Sequence, residues 1–195
     1  MGEKKTLSTR IVFTLLSILP LLLALPAPFL SMWDFYINAP IYGQKWLTVA
    51  IYPLAGVSGD VEEVNIVNHY VGLGPIGNEE IPEIIYLPYF YAAYITLAAI
   101  TAISLQLKRK KPTLLLLLSG VILVASVYGY VYLWLYNYTH TIMPGAAFKI
   151  EPFDPPFIGE HRVANFIIRS YPGPSLILLT ISAVIGILFT RRLKL

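Results

Sequence analysis

Four apolar blocks separated by two long polar stretches predict an all-α membrane protein. The expected architecture is four transmembrane helices, both termini cytoplasmic, and two ordered extracytoplasmic loops forming a cap. Three observations carry this expectation. Of 195 residues, 56% are hydrophobic and only 13% charged, against about 25% charged in a soluble domain. The apolar residues gather in blocks close to the ~20 residues that cross a bilayer. Ten of the 14 basic residues fall on one side of those blocks, as topology signals do.

The spans are expected at about 11–30, 87–107, 112–136 and 174–189, with outer loops at about 31–86 and 137–173. Residues 1–195 read as one integral membrane domain. None of the four blocks contains Asp, Glu, Lys, Arg or His, so each suits a helix that satisfies its own backbone in hydrocarbon. Lys4, Lys5 and Arg10 precede the first block, Lys108 to Lys111 join the second and third, and Arg191, Arg192 and Lys194 follow the fourth. Ten of the 11 acids lie on the opposite side, with Lys45, Lys149, Arg162 and Arg169. The positive-inside rule then places the long loops outside a plasma membrane that the chain crosses several times. Trp33, Tyr36, Trp46, Tyr86, Tyr89 and Tyr94 sit where an outer aromatic belt belongs, as does the run from Tyr130 to Tyr138. The first block, with Ala24-Leu25-Pro26-Ala27, also resembles a signal peptide; an uncleaved anchor is expected, because the apolar run continues through Leu30.

Within the first loop, Leu47 to Tyr52 has the composition of a strand. Asp60 followed by Glu63 reads as a helix N-cap with its capping-box partner. The spacing predicts a short amphipathic helix over 61–71, with Glu62, Asn65 and His69 on one face and Val64, Val67 and Val71 on another. Gly72-Leu73-Gly74-Pro75 then permits a sharp turn. The second loop is rich in proline and is expected to be extended and semi-rigid. Its Phe148, Phe153 and Phe157 suggest a lid packed on the first loop, and 160–170 reads as a short interfacial helix.

Composition excludes several chemistries. With no cysteine, disulfides, iron–sulfur clusters and thiolate metal sites are ruled out. Ionisable groups inside spans mark ion and proton pathways, and the blocks hold none. The chain is therefore not expected to be a stand-alone pump or channel, nor to bind haem between intramembrane histidines. Ser58 and Ser170 sit in no nucleophile motif, and no enzyme activity is expected. The positive charge is a topology signal, so no nucleic acid is expected as a partner. The expected partners are the lipid bilayer and a membrane or extracytoplasmic protein.

The candidate site is a metal site. His140 and Met143 form His-x-x-Met, and imidazole with thioether suits copper, Cu(I) especially. With the loops folded together His69 adds a third ligand, and Asn65 or Asn68 is placed to orient an imidazole. The competing reading, which spacing alone favours, has His140 as an interfacial residue and Met143 as loop packing. His161, between Glu160 and Arg162, reads as a solvated face. Glu79, Glu80 and Glu83 read as surface charge ahead of a hard-cation site.

Asn65-Ile66-Val67-Asn68-His69-Tyr70-Val71-Gly72 and Pro155-Pro156-Phe157-Ile158-Gly159, with Asn165-Phe166 beyond, carry a resemblance. They look like two loop motifs of small four-span prokaryotic membrane proteins, which usually read Asn-His-Tyr-Ile-Gly-Met and Pro-Pro-Leu-Ile-Gly. Thr139-His140 is similar to a Gly-His element between them. Such proteins are often encoded beside nitrous oxide reductase and its maturation factors. The resemblance implies an accessory role in copper supply to an exported respiratory enzyme, or in its assembly, with His69 and His140 as ligands. Two positions depart from the pattern: Leu73 stands where the family has Met, and Gly145 stands near a second His. The alternative is a non-catalytic structural subunit of a membrane respiratory or transporter complex, docking partners through its loops.

Overall fold

The computed structural model describes residues 2–148, 150–155, 157–163 and 165–192; for residues 2–10, 110, 191 and 192 it describes the backbone alone. Lys149, Lys194 and Pro156 of the second motif lie outside the described residues. Long helices are α1 (Gly2–Ala24), α3 (Leu87–Gln106), α4 (Lys110–His140) and α5 (Pro174–Arg192). A shorter helix, α2 (Val61–Val71), lies between the first two. Among the described residues, three segments are long and apolar enough to cross a bilayer: Ile11–Phe29, Pro82–Gln106 and Lys111–His140. The fourth apolar helix, Pro174–Thr190, is shorter than that.

The all-α expectation is wrong. Five strands form one antiparallel sheet: β1 (Trp33–Asn38), β2 (Trp46–Tyr52), β3 (Gly56–Gly59), β4 (Gly159–Val163) and β5 (Phe166–Pro172). Their order is β3-β2-β1-β5-β4, so the fold is mixed α/β. The central strand β1 pairs with β2 from the same polar stretch and with β5 from the other. The two expected loops are therefore one hydrogen-bonded layer. The segment 160–170 forms the β4–β5 hairpin, not an interfacial helix, with Val163 opposite Phe166.

Period-two alternation explains the sheet's two faces. Trp33, Phe35 and Ile37 of β1 share a face with Leu47, Val49 and Ile51 of β2 and with Ile168 and Ser170 of β5. At one end of this face Trp33 and Ile51 pack against Tyr91, Val131, Leu135 and Leu176 of the long helices. At the other, Leu47 and Val49 pack against Val64 and Val67 of α2. The opposite face carries Tyr36, Thr48 and Arg169, and the Arg169 guanidinium lies 4.2 Å over the Trp46 ring. Arg169 also bonds Glu160 at 2.7 Å. Apolar-in and polar-out is the pattern of an antiparallel sheet covered on one side.

Hydroxyl groups and small residues join the long helices. Tyr94 donates to the Leu179 carbonyl at 2.9 Å, and Ser182 donates to the Pro20 carbonyl at 2.8 Å. Gly186 lets α5 approach α4 so closely that a Cβ there would meet the Leu117 side chain. Two belt residues are corrected by this packing: Trp33 and Tyr94 are buried in the core, whereas Tyr86 and Tyr89 are exposed as expected. The α1 helix ends at Ala24, and its continuation Ala27–Phe29 is a 3-10 turn introduced by Pro26.

Candidate functional site

The α2 helix forms where its apolar period requires, but its N-terminus is held differently from expectation. The Asp60 carboxylate makes no cap bond to the first turn. It accepts instead from the Thr48 backbone N–H at 2.8 Å and from Lys45 Nζ at 3.0 Å. These bonds hold the Asp60 carboxyl below the usual aspartate range, the Thr48 amide contributing most. At the other end Gly72 adopts φ 81° and closes the helix, with Leu73 N–H donating to the Asn68 carbonyl at 2.9 Å. A left-handed terminal residue is what glycine supplies cheaply.

The turn that follows is clamped by Asn65. Its Nδ2 donates to the Ile76 carbonyl at 2.9 Å, and its Oδ1 accepts from the Ile76 N–H at 2.8 Å. Asn65 is thereby committed to the turn, and does not orient an imidazole. Asn68 is buried, and its Nδ2 has no hydrogen-bond partner among the described residues. It lines a cavity of about 70 Å³ with Phe35, Trp134 and Tyr138.

The α4 helix has 31 residues, about 46 Å at 1.5 Å per residue, and so runs well past the ~30 Å of a hydrocarbon core. Its last turn carries Thr139 to a cavity that Phe35, Ile37 and Ile168 of the sheet also line, and ends on His140. His140 is therefore helical and not a loop residue. Its Nδ1 lies 2.8 Å from the Tyr136 carbonyl, and its ring stacks on Tyr136 with centroids 3.9 Å apart. A carbonyl only accepts, so Nδ1 is the donor in this contact, which leaves Nε2 outside it.

Three hydrogen bonds tie this end of α4 and the following residues to the end of α2. Met143 N–H donates to the Gly72 carbonyl at 2.7 Å, Phe148 N–H to the Tyr70 carbonyl at 2.9 Å, and Tyr138 Oη to the Gly74 carbonyl at 2.6 Å. A Cβ on Gly74 would sit 3.3 Å from Met143 Cε. The segments bearing His69 and His140–Met143 are thus brought together through their backbones. His69, His140 and Met143 are all exposed. No group of three or more His, Asp or Glu able to hold a metal occurs among the described residues. An imidazole with Nδ1 pinned by a carbonyl and a thioether three residues on are donors that suit a soft cation.

Other sequence candidates fall elsewhere. His161 is exposed on β4, stacked on Phe153. Glu79, Glu80 and Glu83 are exposed, in keeping with surface charge. Phe157 packs on Trp33 with centroids 5.3 Å apart, whereas Phe148 of the expected lid is exposed. Phe148 lines an open groove of about 320 Å³ with Ile41, Tyr70 and Phe166. Sequence reasoning did not find this groove, because its walls come from four separate segments. Among known proteins, no family model matches this chain, no curated protein is similar to it, and no solved structure is similar to it.

Proposed function

We propose that this is a membrane-anchored accessory protein that holds copper between the Asn68–Gly72 and Thr139–Met143 segments, for supply to or assembly of an exported respiratory enzyme. The observation that carries the reading is the bond from Met143 N–H to the Gly72 carbonyl, with His140 Nδ1 committed to Tyr136. The first bond draws the segment bearing Met143 to the end of the helix that bears His69, and His69, His140 and Met143 are all exposed. The destination of the copper rests on the family resemblance. The chain would cross the plasma membrane four times, with α5 as the short fourth span. The charge distribution supports cytoplasmic termini and an extracytoplasmic sheet.

Chelator competition with Cu(I) on the purified protein tests this. One Cu(I) per chain is expected, with His69→Ala and His140→Ala each weakening it by about tenfold or more, a loss of about 1.4 kcal/mol. Absence of stoichiometric binding, or binding indifferent to both substitutions, would overturn the copper reading.

One observation favours the second reading, a non-catalytic subunit of a membrane complex. Ile41 and Phe148, each 67% exposed, border the 320 Å³ groove, and exposed apolar surface of this kind marks contact sites. Ile41→Asp and Phe148→Asp would then abolish co-purification with a larger complex while leaving Cu(I) affinity unchanged. Unchanged co-purification in both variants would discard that use of the groove.

A further inference from the structure

We propose that the cavity at the sheet end of α3 and α4 takes up one aliphatic chain of a neutral, hydroxyl-bearing amphiphile from the bilayer, with its head at Glu83 and Tyr130. The cavity has a volume of about 280 Å³, room for about nine groups of roughly 30 Å³ each. A space of that size takes an apolar chain segment. Its walls are Phe35 and Ile51 of the sheet, Phe90 of α3, and Val131 and Trp134 of α4. An apolar space of this size excludes water and welcomes an apolar guest.

Glu83, Tyr86, Ser126 and Tyr130 are the wall's exposed polar residues. Tyr86 and Tyr89 flank the same region, 66% and 72% exposed, at the start of an apolar helix. Tyrosines at helix ends mark the headgroup level of a bilayer, so the mouth lies where the bilayer's amphiphiles place their heads. Glu83 is the one acidic or basic side chain of the wall. A carboxylate accepts from a hydroxyl and repels a phosphate or carboxylate head. The site therefore selects neutral donors over anionic amphiphiles of equal chain length.

Trp134 reports on the cavity. The protein in nanodiscs would be titrated with 11-bromoundecanol, whose bromine quenches indole fluorescence, and with 11-bromoundecanoate. Saturable quenching by the alcohol is expected, and its loss in Trp134→Phe assigns it to this cavity rather than to Trp33 or Trp46. Val131→Phe, which fills the space, is expected to weaken the alcohol roughly tenfold. The carboxylate is expected to bind about fivefold or more weaker than the alcohol, and Glu83→Gln to bring the two within about twofold. Competition by dodecanol or by a decyl-substituted hydroquinone then distinguishes an aliphatic alcohol from an aromatic diol as the occupant. Quenching that never saturates, or equal affinity for alcohol and carboxylate in the unmodified protein, overturns the proposal. Should Val131→Phe fail to fold, the Glu83→Gln comparison decides alone.

Discussion

Trp33 Nε1 donates a buried hydrogen bond to Ser170 Oγ at 2.8 Å, across 137 residues of sequence. The bond joins β1 to β5, and Ser170 Oγ lies 3.2 Å from the Phe157 carbonyl. It fastens both polar stretches into one layer above the helices. Ser170→Ala would leave the indole N–H unpaired in the core, at a cost of about 1–3 kcal/mol. The measurement is equilibrium unfolding of the detergent-solubilised protein. Trp33→Phe combined with Ser170→Ala should cost less than the sum of the single changes, because the pair acts together.

Gly72 and Gly145 make a matched comparison. Both have positive φ, 81° and 93°, but only at Gly72 would a Cβ meet neighbours, with Ala146, Ile142 and the Met143 carbonyl at 3.0–3.1 Å. Gly145→Ala should cost about 1 kcal/mol from the backbone alone. Gly72→Ala should cost more and should loosen Met143 from its partner. Amide exchange at Met143 would rise in Gly72→Ala and remain slow in Gly145→Ala.

The Asn65 amide donates to and accepts from Ile76. Asn65→Ala removes both bonds and should cost about 1–3 kcal/mol. Asn65→Asp keeps the acceptor for the Ile76 N–H but sets a carboxylate against the Ile76 carbonyl. It should therefore be no less damaging than Asn65→Ala, and protection of the Ile76 amide against exchange checks the pair.

Two aspartates predict opposite responses to acid. The folded protein holds Asp60 below its ordinary value, through the Thr48 amide first and then Lys45. Its stabilisation is therefore complete above about pH 3.9, the unfolded value, and is lost as pH falls through the lower folded value. Burial raises Asp34, offset in part by Ser31, so its penalty appears as pH rises from about 3.9 through the raised folded value. Asp60→Asn should flatten the loss of melting temperature at acid pH. Asp34→Asn should raise the melting temperature at neutral pH and leave it unchanged near pH 3.

The helices were legible because their signal is local. The expected second span, 87–107, differs from α3 by one residue, the helix expected over 61–71 is α2, and the strand expected over 47–52 is β2. The rest of the sheet was hidden by non-local pairing. Trp33, Phe35 and Ile37 alternate toward the core, yet their neighbours on one side lie in β5, beyond α4. Read alone, β1 is indistinguishable from an aromatic belt. The segment 160–170 suggested a short interfacial helix, while the period that decided its fate sets Phe166, Ile168 and Ser170 on one face. The capping box failed because Thr48, 12 residues earlier, offers Asp60 a competing backbone donor. His69, His140 and Met143 were visible as metal-compatible residue types. The Met143–Gly72 bond that gathers their segments was not.

The most direct test of the central claim is X-ray absorption at the copper edge of the Cu(I)-loaded protein, with Met143→Leu beside it. The chain has no cysteine and three methionines, of which Met32 is buried in the core, so Met143→Leu decides whether a sulfur neighbour is Met143. The account predicts imidazole scattering together with one sulfur path that disappears in Met143→Leu. A shell of nitrogen and oxygen alone, or a sulfur path that survives the substitution, would contradict it.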